Sequence, residues 1–171
     1  DVVDYSLHME KDETGTITSL RAYEKILKEA FKKHGGRLFN TGGDSFMAEF
    51  SSAVKAVECA IDFQNIVKEK NIKPALSFRI GINAGDVILE KKNLLGDGVN
   101  VAARLEQLAQ PDGITISKSI FDYIEGKLDL QIQDLGIQQV KKNKFHAFDI
   151  LLDPAQKRAL KKNNYNLKIA S

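Results

Sequence analysis

The sequence predicts an α+β fold, a mixed β-sheet with helices packed on one face, and three observations carry that prediction. Stretches with apolar residues at three- and four-residue intervals alternate with short runs rich in Ile, Val and Phe. Gly and Pro residues punctuate the chain where helices should stop and strands should turn. The strand-like runs come partly as adjacent pairs and partly separated by helices, an order of mixed type with a central antiparallel pair. With 171 residues, 43% of them hydrophobic, the chain can close one proper core, and the length favours one domain over two.

Taken in order, Thr14 to His34 places Ile17, Leu20, Ile26, Leu27, Ala30 and Phe31 largely on one helical face, and Gly35-Gly36 stops the helix. Arg37 to Thr41 and Phe46 to Phe50 are two short extended runs around a Gly-Gly-Asp turn, the pattern of a hairpin. Ser51 and Ser52 open a second helix that runs to about Lys70, and Pro74 ends the connection after it. Leu76 to Leu89 is interrupted by Gly81 and Gly85 and reads as two strands joined near Ala84-Gly85. Asp97 is expected to cap a third helix from about Gly98 to Ala109, terminated by Pro111 and Gly113. A strand at Ile114 to Ser117, a helix from Lys118 to about Ile124, and strands near Leu128 to Asp134 and Phe145 to Leu151 complete the domain.

Composition narrows the function classes. No run approaches the roughly 18 apolar residues that a membrane span needs, and no basic-then-apolar leader opens the chain. A cytoplasmic domain is expected, including one carved from a membrane-anchored parent. The single Cys59 lies on the apolar stripe of the second helix and reads as inert core, which excludes a disulfide within the chain. His8, His34 and His146 show no metal-ligand spacing. After Leu152, Lys157, Arg158, Lys161, Lys162 and Lys168 face only Asp153, leaving 20 basic and 22 acidic residues in 1–152. Residues 153–171 read as a basic, solvated extension rather than a nucleic-acid surface.

The segment Thr41-Gly42-Gly43-Asp44-Ser45-Phe46 puts an acid at a hairpin tip. Such a carboxylate is held rigidly, and hard cations such as Mg²⁺ favour carboxylate oxygens together with substrate phosphates, but a second acid is then needed. Taken alone, Asp at a Gly turn is more often a simple turn former. Asn100 and Arg104 lie four apart on the third helix and project from the same side of it, which alone is more often the pattern of a solvated helix face.

Three segments decide between these readings. Gly96-Asp97-Gly98-Val99-Asn100-Val101-Ala102-Ala103-Arg104-Leu105-Glu106, the preceding Arg79-Ile80-Gly81-Ile82-Asn83-Ala84-Gly85-Asp86-Val87, and the opening Asp1-Val2-Val3-Asp4-Tyr5-Ser6 together resemble class III nucleotidyl cyclases, the adenylyl and guanylyl cyclase catalytic domain. The resemblance covers nearly everything from Asp1 to about Leu152 and implies a palm-type, ferredoxin-like cyclase homology domain over 1–152. Replacing Ser45 by Glu would give the GGDEF signature of diguanylate cyclases, but those enzymes lack the VNVAARLE helix, so that likeness reflects a shared palm-type hairpin.

The resemblance implies roles. Asp1 and Asp44 match the two aspartates that hold two Mg²⁺ or Mn²⁺ ions on the triphosphate, with the backbone carbonyl of Val2 as a further ligand. Asn100 would orient the ribose, and Arg104 would stabilise charge on the α-phosphate. Lys141 matches the lysine that binds the terminal phosphates, with Lys144 as the alternative because the segment is one residue short. Asn40 and Asn93 stand at the base-selecting positions, where an amide offers both a donor and an acceptor, so ATP is the default and GTP stays open. The family works as head-to-tail dimers, so a homodimer with two equivalent sites is expected. Asp4 stands where the family has glycine. Because Asp1 would itself bind metal, the first strand is expected to be truncated, with further sequence and a regulatory domain upstream. The alternative function is a catalytically degenerate cyclase-like module for nucleotide binding or dimerisation, which Asp4, Asn40 and Asn93 favour.

Overall fold

The computed structural model describes residues 1–86, 88–90 and 93–160, and within them not the side chains of residues 40, 41, 88–90 and 93–95. Val87 and the tail residues Lys161, Lys162 and Lys168 lie outside the described residues. The chain opens with two helices, α1 (Tyr5–Lys11) and α2 (Glu13–His34). No stripe in the sequence announces α1, because it buries no residue. Asp12 separates the two and caps α2 by accepting from the Gly15 N–H at 2.9 Å. On the expected face α2 buries Leu20, Tyr23, Leu27 and Ala30, and it stops at Gly35 in a left-handed conformation, φ 72°.

The hairpin forms where the Gly-Gly-Asp turn places it, between β1 (Gly36–Gly42) and β2 (Ser45–Phe50). Its register slips once: Phe39 opposes Met47 and Thr41 opposes Phe46, so Asn40 is the extra residue of a bulge. α3 (Ala53–Lys70) is capped by Ser52 and buries Val57, Cys59, Ala60, Phe63 and Val67.

Leu76 to Leu89 departs from the expectation of two strands joined near Ala84-Gly85. Only Ile80–Ile82 forms β3, and it pairs in parallel with β6 (Ile114–Ser117). Ile88–Glu90 (β4) pairs instead with β5 (Asn93–Leu95) in a separate two-stranded hairpin. The intervening loop is tied elsewhere, which prevents a return onto β3. The Asn83 side-chain amide donates to the Gly98 carbonyl at 3.1 Å, and Ser119 Oγ donates to the Ala84 carbonyl at 3.1 Å. A second correction concerns α4 (Asp97–Leu108): its N-cap is Gly96, not Asp97, and Asp97 sits in the first turn, where a negative charge suits the helix dipole.

α5 (Lys118–Ile124) follows β6, and the chain ends in a long hairpin of β7 (Gln131–Val140) and β8 (Asn143–Leu151), then a short 3₁₀ turn, Pro154–Gln156. The main sheet has the order β3-β6-β8-β7, antiparallel except for β3 with β6. Ile114 and Ile116 of β6 and Phe148 and Ile150 of β8 pack under α3 and α5 with Val57, Ala60, Ile120 and Ile124. The α+β class with a mixed sheet holds. In one detail it is fuller than expected: strand residues alternate between faces, and Ala147 and Leu135, on the other face, are also buried, under Leu105 of α4. Helices therefore cover both faces. α4 approaches so closely that a Cβ at Gly81 would stand 2.3 Å from the Ala102 carbonyl and the Glu106 nitrogen.

A third cluster holds the N-terminus. Val2 is 2% exposed and packs with Leu20, Tyr23, Phe63 and Phe78. Phe78 meets both Tyr23 and Phe63 edge-on, with ring centroids 5.1 and 5.0 Å away.

Candidate active site

Burial of Val2 and Phe78 fixes the first residues by a single antiparallel bridge. Val2 opposes Phe78 antiparallel, with the Val3 N–H donating to the Ser77 carbonyl and the Arg79 N–H to the Asp1 carbonyl, each at 2.9 Å. In this pairing the N–H and C=O of Val2 itself point away from Phe78. Asp1 is thereby placed beside Arg79, whose guanidinium donates to Asp1 Oδ2 at 2.7 Å. Arg79 Nε also lies 3.2 Å from Glu106 Oε1 on α4, an ionic contact whose direction does not make a hydrogen bond, and both atoms are buried.

Asp44 follows Gly43, φ 68°, at the tip of the β1–β2 hairpin and is half-buried. Its charge reaches the same place: it acts on the Asp1 amino group and on Glu106. Burial pushes the Glu106 carboxyl above its ordinary value, and Asp44 adds to the push, while the Asp1 amino group and Arg79 oppose it. Two carboxylates, Asp1 and Glu106, thus meet at one guanidinium, and the charge of Asp44 adds to the negative field on Glu106. Among the described residues no group of three or more His, Cys, Asp or Glu side chains is arranged to enclose an ion alone. The carboxylates of Asp1, which Arg79 already engages, and of Asp44, with the Val2 carbonyl that points away from Phe78, are oxygen groups of the kind that Mg²⁺ or Mn²⁺ takes together with substrate oxygens. A cavity of about 840 Å³ opens next to the cluster, bordered by Asp1, Arg79 and Glu106 and walled by Phe46, Phe50 and Phe78.

Asn100 and Arg104 are not part of this cluster. Leu105 is fully buried and anchors α4, and successive residues of a helix are rotated by about 100°. Arg104 and Glu106 therefore project from nearly opposite sides of the helix. Asn100 is exposed, and Arg104 is half-buried with one guanidinium N–H on Gln107 Oε1 at 3.2 Å. Lys141, φ 55°, is at the exposed tip of the β7–β8 hairpin, and Lys144 is exposed on β8. Among the described residues neither forms an ion pair with Asp1, Asp44 or Glu106. Asn40 is the bulge residue of β1, Asn93 begins β5, and β5 lies against β1. The side chains of Asn40 and Asn93 lie outside the described residues. Asp4 is exposed and left-handed, φ 52°, a conformation in which glycine is the residue most at ease, and its side chain makes no cap hydrogen bond to α1. The sequence assigned no role to Arg79 or Glu106, although each lies in one of the three quoted segments. The available signal was a lone acid beside the fully apolar position of α4, six residues beyond Asn100.

The chain belongs to the adenylate and guanylate cyclase catalytic domain family, whose model matches residues 1–152. Among its relatives is the Rhizobium meliloti (strain 1021) protein named "Putative adenylate cyclase 3", 43% identical over a 146-residue match that covers 82% of this chain and 25% of that protein. The chain spans between a quarter and about two fifths of the length of the first curated relatives it matches. Of solved structures, an adenylate/guanylate cyclase/hydrolase from Silicibacter pomeroyi superposes with a TM-score of 0.82 at 32% identity, covering 90% of this chain and 93% of that one. The catalytic core of a rhodopsin-guanylyl cyclase with converted specificity, in complex with ATPαS, superposes with a TM-score of 0.73 at 26% identity, covering 88% and 90%.

Proposed function

We propose that the domain is a nucleotidyl cyclase that converts ATP, with GTP as the alternative purine, to the 3′,5′-cyclic nucleotide and pyrophosphate at a site shared between two copies of the chain. One observation carries this reading: the acidic cluster and the Asn100–Arg104 face lie on separate surfaces of α4 within one chain, so each half needs a complement. Asp1, Asp44 and the Val2 carbonyl are the groups that would hold two Mg²⁺ or Mn²⁺ ions. Such ions activate a ribose 3′-hydroxyl and neutralise charge on the leaving pyrophosphate.

The remaining work falls to side chains. Asn100 holds the ribose in the orientation for in-line attack, and the Arg104 guanidinium meets the charge that develops on the α-phosphate. Lys141, or Lys144 beside it, takes the terminal phosphates. Asn40 and Asn93, carried by adjacent strands, meet the purine edge. A rhodopsin-guanylyl cyclase of converted specificity takes ATPαS, which supports treating the purine choice as local rather than dictated by the fold. Among the described residues no helix is long and apolar enough to cross a membrane, and we place the domain's work in the cytoplasm, where nucleoside triphosphates are.

The second reading, a degenerate nucleotide-binding or dimerisation module, draws on the Arg79 guanidinium that already neutralises Asp1 at 2.7 Å. A cyclic-nucleotide assay with Mn²⁺ and ATP or GTP in separate reactions decides between them. Cyclic product that disappears in Asp44→Ala is the expected result. A folded, dimeric protein that makes no product from either nucleotide would establish the module instead.

A further inference from the structure

β8 alternates its side chains between two packed faces, and on the α4 side this places Asp149, 4% exposed, inside the protein. A carboxylate buried to that degree needs an opposite charge and hydrogen bonds to remain ionised. Its partner is Arg158, which comes from beyond the last strand. Arg158 Nε donates to Asp149 Oδ2 at 2.5 Å and a terminal nitrogen donates to Oδ1 at 2.9 Å, a two-point fork. The same terminal nitrogen donates to the carbonyl of Leu108, the last residue of α4, at 3.0 Å. Thr115 Oγ1 of β6 adds a third bond to Asp149 at 2.6 Å. Gln133 of β7 holds the Arg158 backbone from both sides: its Nε2 donates to the Arg158 carbonyl at 2.8 Å, and its Oε1 accepts the Arg158 N–H at 2.9 Å. Gln156 secures the approach, accepting the Leu152 N–H at 2.8 Å and, through its carbonyl, the Gln110 side-chain amide at 2.7 Å.

A helix ends in carbonyls that have no partner within it, and a cation there also complements its dipole. α4 has no basic residue in its own last turn. Arg158 supplies that cation from elsewhere in the chain and locks it to the sheet through Asp149. α4 is also held by the Asn83 bond to Gly98 at its start, by the close approach of Gly81 at its middle, and by the Arg79 contact with Glu106 and the burial of Leu105 against Leu135 and Ala147, but none of these reaches its last carbonyl. Leu108 lies one turn beyond Arg104 and two turns beyond Asn100, so a shift of this end moves both side chains.

We propose that Arg158 is a positioning residue for the reaction: it fixes the C-terminal end of α4 on the sheet and thereby sets the reach of Asn100 and Arg104. The role rests on the cyclase reading, although the clamp itself does not. Lysine keeps a charge for Asp149 but lacks the planar fork that serves Asp149 and Leu108 together. Arg158→Lys in the whole domain should lower kcat about tenfold or more, since small misplacements of catalytic groups are costly, with KM for the nucleotide and the Mn²⁺ dependence unchanged. Hydrogen exchange should accelerate at the amides of α4 and not at the β1–β2 hairpin. The double variant Asp149→Asn, Arg158→Gln leaves no unpaired buried ion, folds more safely, and should show the same loss of kcat. A folded variant with accelerated α4 exchange and wild-type kcat would reduce Arg158 to a stabilising role and overturn the proposal. Unchanged α4 exchange in Arg158→Lys overturns the clamp whether or not the wild type turns over. A wild type that makes no cyclic product fails the cyclase reading on its own, and the exchange measurement still decides the clamp.

Discussion

Arg79 stands between Asp1 and Glu106, each of the three side chains keeping less than a third of its surface exposed. With Asp44 adding negative charge nearby, removal of the guanidinium leaves carboxylates facing one another in a partly desolvated place. Arg79→Ala should therefore lower unfolding stability by about 3 kcal/mol, the low end of what breaking a buried pair costs. Combining it with Glu106→Gln removes one of the stranded charges, so the double variant should recover about 1 kcal/mol or more relative to the sum of the singles. Urea denaturation of the four proteins in the cycle measures this directly, and strict additivity would mean that the 3.2 Å contact carries no coupling. Cys59 illustrates the opposite case. Burial, with Asp62 nearby, pushes its thiol up to about 12, so it stays protonated and unreactive, as a lone cysteine on an apolar stripe should.

Between elements, α2 and α3 are tied by charge as well as by packing. Lys33 Nζ lies 2.6 Å and His34 Nε2 2.8 Å from Asp62 Oδ2, joining the end of α2 to the middle of α3. The Lys33 hydrogen bond, and after it the His34 contact, hold the Asp62 carboxyl below its ordinary value. A carboxyl depressed in the folded state stabilises it above the unfolded pKa, near 4, and loses that contribution as pH falls through the folded value. Asp62→Asn should therefore lower the melting temperature at neutral pH by a few degrees at most, and the gap to wild type should close as the pH falls through the depressed value of the folded carboxyl. Melting curves across that range check it, and a gap that persists in acid would assign the effect to packing. The elements that the sequence made legible are those whose burial follows a local period: α2, α3 and the β1–β2 hairpin match their apolar stripes and turn residues. α1 buries nothing and so left no stripe. The pairing of β4 with β5 depends on Asn83 and Ser119 reaching distant backbone, which no local pattern encodes. β7 runs on through the polar stretch Gln138-Gln139 because its hairpin partner supplies the hydrogen bonds. In the candidate site, the hairpin-tip position of Asp44 was legible from its turn, whereas the Arg79–Glu106 contact arises only because Gly81 lets α4 settle against β3. Arg158 read as tail charge for the same reason: its carboxylate partner lies across the sheet.

At the scale of the whole molecule, the decisive feature is that one helix separates the two groups of side chains proposed for the reaction. Glu106 faces inward to the acidic cluster, and Asn100 and Arg104 face outward, so no side-chain movement short of unwinding α4 unites them in one chain. The proposed two-fold dimer would solve this without moving the helix: the outward face of each copy would stand against the cluster of the other, giving two equivalent sites. Asp44→Ala removes a donor from the acidic half, and Arg104→Ala removes the guanidinium from the other half, so each variant alone should be inactive. Mixed in equal amounts and allowed to exchange, half of the dimers should contain one of each, and every such dimer has one intact site and one doubly damaged site. Cyclic-nucleotide formation should then return to about a quarter of the wild-type rate at the same total concentration. The recovered activity should also fall steeply on dilution, since it depends on association, whereas activity built within single chains would not. A mixture as inactive as its components, in proteins shown by sedimentation to exchange subunits, would place both halves of the chemistry in one chain and overturn the shared site.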